Sequence, residues 1–156
     1  MKEYNIKKKK HYASGFHFKP VYDKRELEVK VMFDETCLYK LEENYDQINK
    51  LIGISQGMHH RNSARYGWRC IDGKKIELLS YCYINKKRQW KLIRTVSVNR
   101  WIKIKLSITD DAYVFKTGSK EVIVKRNSSA MKLGVMLNPY FGGKIAAPHN
   151  MKITIK

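Results

Sequence analysis

Between Asn49 and Arg69 the chain gathers Lys50-Leu51 with Gly53, then Gly57-Met58-His59-His60, then Ser63-Ala64-Arg65 followed by Trp68-Arg69. Side chains alternate across a strand, so a Ser-x-Arg step in extended backbone points Ser63 and Arg65 to the same face. Arginine offers a planar fork of donors suited to a carboxylate, and a nearby lysine adds a compact point charge. These types at these spacings read as a site for an acidic ligand. The plainer alternative is a solvated strand carrying an incidental arginine. His59 and His60 sit in the loop that leads into Ser63 and Arg65, and imidazole is the side chain that exchanges protons most readily near neutral pH. With no Asp, Glu or Cys at ligand spacing beside them, neither a metal site nor any other cofactor is expected.

The elements that must position these residues read as strands. In Glu26 to Phe33 the apolar Leu27, Val29, Val31 and Phe33 alternate with Glu26, Glu28 and Lys30, which gives one buried and one wet face. Trp101 to Ile108 repeats the pattern, and Ile153 with Ile155 repeats it near the end. Asp72-Gly73 and Thr117-Gly118 are hairpin turn signals, and Asn85 to Gln89 is a polar turn before Trp90 to Val98. Only Leu38 to Ile52, with Leu38, Leu41, Tyr45, Ile48 and Leu51 at three- and four-residue spacing, has room for a short helix or an ordered loop. Short alternating strands joined by hairpins predict an all-β fold, a two-sheet antiparallel sandwich of jelly-roll type. The expected organisation is a basic N-terminal arm or edge strand over residues 1–24 and one jelly-roll domain over 25–156.

At 156 residues there is room for one domain with a real core. Lysine and arginine number 32 against 14 aspartates and glutamates, a formal net charge of +18, so the expected partner is a polyanion. Cys37, Cys70 and Cys82 are odd in number and lack metal-ligand spacing, so they are expected as buried thiols. The N-terminal stretch is basic without an apolar segment behind it, and no window is apolar enough to span a bilayer. A cytoplasmic product without a signal peptide or membrane insertion is therefore expected. Action outside the cell would need lysis, virion assembly or an unrecognised export route.

The succession of RELEVKVMF, Lys50-Leu51 with Gly53, Ser63-Ala64-Arg65 with Trp68-Arg69, a Glu-Leu strand bearing tyrosines, and Phe141-Gly142-Gly143 before Ala147-Pro148 resembles polysaccharide lyase family 14. Glucuronan lyases and other concanavalin-like jelly rolls are that family's structural relatives, and the resemblance runs from about Arg25 to the C-terminus. It implies binding of an acidic polysaccharide and its cleavage by β-elimination. On that resemblance Lys50, Ser63 and Arg65 fall on active-site positions, the cations binding carboxylate and either Lys50 or a tyrosine transferring a proton. The family places two tyrosines at alternate positions in the strand after the turn. In IELLSYCY one register puts Leu79 and Tyr81 there, and a slide of two recovers Tyr81 and Tyr83. His59, His60, Arg69 and Tyr140 are then expected on the substrate side, with Tyr140 or Phe141 stacking on a sugar ring unless Phe141 belongs to the core. Lys132 to Asn138 resembles a strand of alginate lyase family 7, with Met136 at its tyrosine position, and reads as structural.

Two other classes of function stay open. One is a noncatalytic structural or adhesive module, such as a phage decoration protein that contacts other virion proteins. The other is nucleic-acid binding through Lys7 to Lys10 with Tyr4, Tyr12, Phe16 and Phe18, combining phosphate contacts with stacking.

Overall fold

A computed structural model describes residues 1–15, 18–42 and 47–156; Phe16 and Tyr45, which figure in the expected arm and the expected helical run, lie outside the described residues. The described strands are β1 (Lys2–Ile6), β2 (Pro20–Tyr22), β3 (Glu26–Phe33), β4 (Asn49–Ser55), β5 (Asn62–Ile71), β6 (Lys75–Ile84), β7 (Lys87–Val96), β8 (Ile102–Ile108), β9 (Ala112–Thr117), β10 (Lys120–Lys125), β11 (Leu133–Leu137) and β12 (Met151–Ile155). They form two six-stranded sheets, ordered β1-β12-β3-β8-β9-β10 and β2-β11-β4-β5-β6-β7. All pairings between the described strands are antiparallel, so the all-β sandwich expected from the alternation is the fold.

Burial of alternating side chains between the sheets holds them together. In β3, Leu27, Val31 and Phe33 are buried while Glu26, Glu28 and Lys30 face water. Each fully buried large apolar side chain contributes about 1.5–3 kcal/mol. The exposed cross-strand pairs on the same strand, Glu28 with Lys103 at 2.8 Å and Glu26 with Lys105 at 3.0 Å, contribute little beside this burial, because water screens them. The centre of the core is aromatic: Trp68 packs against Phe33 at 5.2 Å and Phe141 at 6.2 Å between ring centroids. Phe141 is fully buried, so it belongs to the core and does not stack on a ligand.

Two local expectations change, and the choice between arm and edge strand at the N-terminus resolves. The three- and four-residue spacing of Leu38 to Ile52 does not make a helix of Asn49 to Ser55, which is β4. Gly53 there crosses so close to β5 that a Cβ would overlap the Ala64 carbonyl and Arg65 Cβ, and pairing with β5 overrides the local spacing. The turn after β6 is shorter than expected. Asn85 and Lys86 both take positive φ, 51° and 70°, and β7 starts at Lys87. Such a two-residue turn matches the strand twist, and asparagine tolerates its left-handed backbone. The first 24 residues give each sheet an edge strand, β1 against β12 and β2 against β11. Lys7 to Lys10 is a turn whose backbone is pinned, with Lys9 N–H donating to Ala147 O at 2.8 Å and Lys8 N–H to Asn150 Oδ1 at 2.9 Å. Tyr4 is buried in the core, which separates it from the exposed Tyr12 and Phe18.

Cys37 and Cys82 are buried thiols, their pKa raised by burial, while Cys70 is half-buried.

Candidate functional site

The outward face of the second sheet carries the sequence-selected residues. In β5, Ser63, Arg65 and Gly67 share this face, and the register sets Tyr83 opposite Ser63 and Tyr81 opposite Arg65. Across the next ladder Arg88 lies opposite Tyr83 and Trp90 opposite Tyr81. Leu79, Tyr81 and Tyr83 therefore all share this face, with the two tyrosines beside Arg65 and Ser63. Lys50 reaches the same face through an irregularity in β4. It pairs with Gly67 and Gly53 pairs with Arg65, so the bulge between them turns residues of opposite parity to one side. A regular strand would point Lys50 inward if Gly53 points outward.

These strands floor a cavity of about 620 Å3, within the range of small-ligand sites. Lys50, Ser63, Arg65, Tyr81 and Tyr83 line it. His59, His60 and Tyr140 of the expected set line it too, and Tyr12, Phe18 and Arg88 add aromatic and cationic wall. Among the described residues that line the cavity there is no aspartate or glutamate.

Arg65 is 8% exposed. Its Nη2 donates to the Asn138 carbonyl at 2.5 Å, its Nε has no hydrogen-bond partner among the described residues, and no carboxylate pairs with it there. Burial pushes its pKa down to about 10. A guanidinium withdrawn from water without an anion is costly, and that cost is recovered when an anion binds. Lys50 Nζ donates to the Gly142 carbonyl at 2.7 Å and lies 5.2 Å from the Tyr81 ring centroid and 5.6 Å from that of Tyr140. Burial, reinforced by Arg65 and Arg88, lowers its pKa to about 8. Tyr81 moves the other way, to about 12, because it is desolvated and the Tyr83 hydroxyl adds to the rise while Arg88 opposes it. The Tyr81 ring is held by Ile48 and Leu79.

The last turn region positions Lys50. Asn49, fully buried, accepts from Gly142 N–H at 2.7 Å through Oδ1 and donates to Tyr39 Oη at 2.8 Å. Lys50 and Tyr140 exchange backbone hydrogen bonds of 2.8 and 2.9 Å. Gly142 has φ +67°, and a Cβ there would collide with the Ile145 carbonyl and the Gln47 amide. Ser63 Oγ donates to the His59 carbonyl at 2.6 Å, so the hydroxyl ties down the histidine loop. The His59 and His60 rings touch at a tilt of 56° with centroids 4.0 Å apart, and His60 lies 5.3 Å from the Tyr83 ring. Burial, with the charges of His60 and Arg65, lowers the His59 pKa.

Arg69 is the exception. It shares the sheet face but does not line the cavity. The register places Glu77 opposite it, Arg69 Nε donates to Glu77 Oε2 at 2.7 Å, and its guanidinium lies 5.1 Å from the Trp90 ring. An arginine already paired with a carboxylate is a poor receptor for a second one. Met136, on β11, also lines the cavity, so the strand expected to be purely structural contributes wall. Sequence reasoning missed Arg88 as a site residue. Recognising Asn85-Lys86 as the two-residue turn would have set it opposite Tyr83.

No protein-family model matches the chain, and no curated protein matches it by sequence. Its fold does match solved structures. Alginate lyase AlyC3 superposes with a TM-score of 0.62 at 9% identity, covering 99% of this chain and 74% of that one. The chain is a concanavalin-like jelly roll. The apo Crh5 transglycosylase matches this jelly roll at 0.62 and 9% identity over 99% of this chain and 69% of its own. The GH16 protein of the Bacteroides ovatus mixed linkage glucan PUL, in complex with its G4G4G3G product, matches at 0.56 and 9% over 98% and 77%. At such identities the likeness is one of fold, and the resemblance to polysaccharide lyase family 14 rests on the motif residues alone.

Proposed function

We propose that the cavity binds the uronate units of an acidic polysaccharide and cleaves the chain by β-elimination. The observation that carries this reading is Arg65, a buried guanidinium without an anionic partner on the floor of a cavity lined by two further cations, Lys50 and Arg88. A uronate carboxylate is the anion that this site lacks. Glycoside hydrolysis ordinarily needs a pair of carboxyl groups flanking the scissile bond, and the described lining supplies neither.

The opposed shifts of Lys50 and Tyr81 supply an acid and a base. Between about pH 8 and 12 the Lys50 amine is neutral while the Tyr81 hydroxyl keeps its proton. Arg65 neutralises the substrate carboxylate, which acidifies the proton on the adjacent ring carbon. Lys50 takes that proton, the electron pair forms the ring double bond, the bond to the bridging oxygen breaks, and Tyr81 protonates the departing oxygen. Solvent then returns a proton to Tyr81 and removes one from Lys50. The exposed aromatics Tyr12 and Phe18, with Tyr140, offer sugar-stacking surface at the rim. Carbohydrate-active neighbours of the same fold, an alginate lyase among them, agree with this reading.

The test is ultraviolet absorbance of the unsaturated product during incubation with alginate, polyglucuronate, hyaluronan and pectate, wild type beside Arg65→Met. A rise on one polymer that the variant abolishes is expected. A flat trace on all four from folded protein overturns the elimination and leaves a binding module.

A further inference from the structure

A second cationic concavity lies at the other end of the edge strand that borders the cavity. Arg88 on β7 lines the cavity, and Arg94, six residues along the same strand and so about 20 Å away at a strand's rise per residue, lines a groove of about 390 Å3. Arg100, Trp101 and Lys103 line it too, with the Ser97 and Thr95 hydroxyls, and among its described lining residues there is no carboxylate. Lys103 is bridged to Glu28 outside the groove at 2.8 Å, whereas Arg94 and Arg100 have no ion-pair partner among the described residues.

Two further features bear on what the groove would hold. Arg94 reaches across to the neighbouring sheet: its Nη1 lies over the β9–β10 turn, 2.6 Å from where a Cβ of Gly118 (φ +59°) would stand. Trp101 is 38% exposed within the same concavity, and the Lys156 ammonium lies 3.9 Å from its ring centroid. A guanidinium fork without an ion-pair partner, beside a partly exposed aromatic ring that already carries an ammonium on it, suits an anionic sugar, the fork and the ammonium facing its acid groups and the exposed part of the ring its apolar face.

We propose that this groove is a second, noncatalytic binding site for the same acidic polysaccharide, holding a distant stretch of the chain while the cavity engages another. The identity of the polymer rests on the reading of the cavity; the existence of the anion site does not. Two linked contacts on one chain raise the local concentration of each, so the groove strengthens binding of long polymers and leaves short ones unaffected.

The test is binding of a long uronate polymer, of its tetrasaccharide and of a double-stranded DNA fragment to four proteins: wild type, Arg94→Ser/Arg100→Ser, Arg65→Met, and the triple variant. Both groove arginines lie at the surface, and unchanged unfolding midpoints confirm that the fold is intact. The groove variant should bind the polymer about tenfold more weakly, with a shallower salt dependence, and the tetrasaccharide as wild type does. Residual polymer binding by Arg65→Met should vanish in the triple variant. Unchanged polymer affinity in the groove variant, or an equal loss for tetrasaccharide and polymer, overturns the proposal. So does an Arg65→Met protein that binds DNA through Arg94 and Arg100 and does not bind the polymer. Failure of the cavity reading looks different: wild type then neither cleaves nor binds the tetrasaccharide, while the groove substitutions still weaken polymer binding.

Discussion

Replacing Arg65 with methionine should make the protein more stable and useless to its ligand. At pH 7 the guanidinium is charged in both folded and unfolded chains, so the whole of its pKa depression, from the usual 12.5 to about 10, counts against the folded state. At 1.36 kcal/mol per unit that is about 3 kcal/mol, relieved by deprotonation only above about pH 10. Methionine removes this penalty and keeps a flexible apolar stem against neighbouring side chains. It also removes the hydrogen bond to the Asn138 carbonyl, a charge-assisted bond of about 1.5–3 kcal/mol. The net gain is about 1 kcal/mol, which for a chain of this length raises Tm by about 2–4 °C. Urea and thermal unfolding of both proteins at pH 7 measure it, and titration with a uronate oligosaccharide measures the lost affinity in the same samples. A fall in stability of about 2 kcal/mol or more would refute the reasoning, because the arginine would then be a structural tie and not a receptor held open for an anion. Undiminished oligosaccharide affinity would refute it equally.

The pH dependence follows from Lys50. With its folded pKa at about 8, kcat/KM for the elimination should rise roughly tenfold per pH unit below that value and level off above it. Lys50→Arg, which keeps the charge but cannot give it up, should lose both the activity and the profile, as a pH series of initial rates would show. Because that pKa lies below the unfolded value, the protonated Lys50 weakens the fold below pH 8, and its contribution to stability should improve as pH rises from about 8 towards 10.5. Tyr81→Phe should cost about a hundredfold or more in rate while the unfolding midpoint barely moves, since the ring keeps its contacts with Ile48 and Leu79. Gly53→Ala should destabilise by about 1–3 kcal/mol, because its methyl would be forced against the Ala64 carbonyl and Arg65 Cβ; denaturant titration reads this directly.

The alternation in Glu26 to Phe33 and Ile102 to Ile108 was enough to define strands, their buried faces and a two-sheet sandwich, because a period of two has one physical interpretation when one side must be dry. The Ser-x-Arg spacing likewise determined that Ser63 and Arg65 share a face. Local spacing misled where pairing outweighed it, as in Asn49 to Ser55, which is extended because β5 and β11 flank it. It also could not show that Arg69 would meet Glu77, since that depends on the hairpin register. Tertiary structure alone decided that Lys50 joins Arg65, because a bulge reverses the side to which the strand presents it. It alone decided that Tyr81 and not Leu79 stands opposite Arg65, and that Arg88, one turn further on, borders the same cavity. Sequence fixes side-chain chemistry and the parity of regular strands; registers, bulges and burial arise from contacts far apart in the chain, and they made of an arginine motif a buried cation with no carboxylate beside it among the described residues.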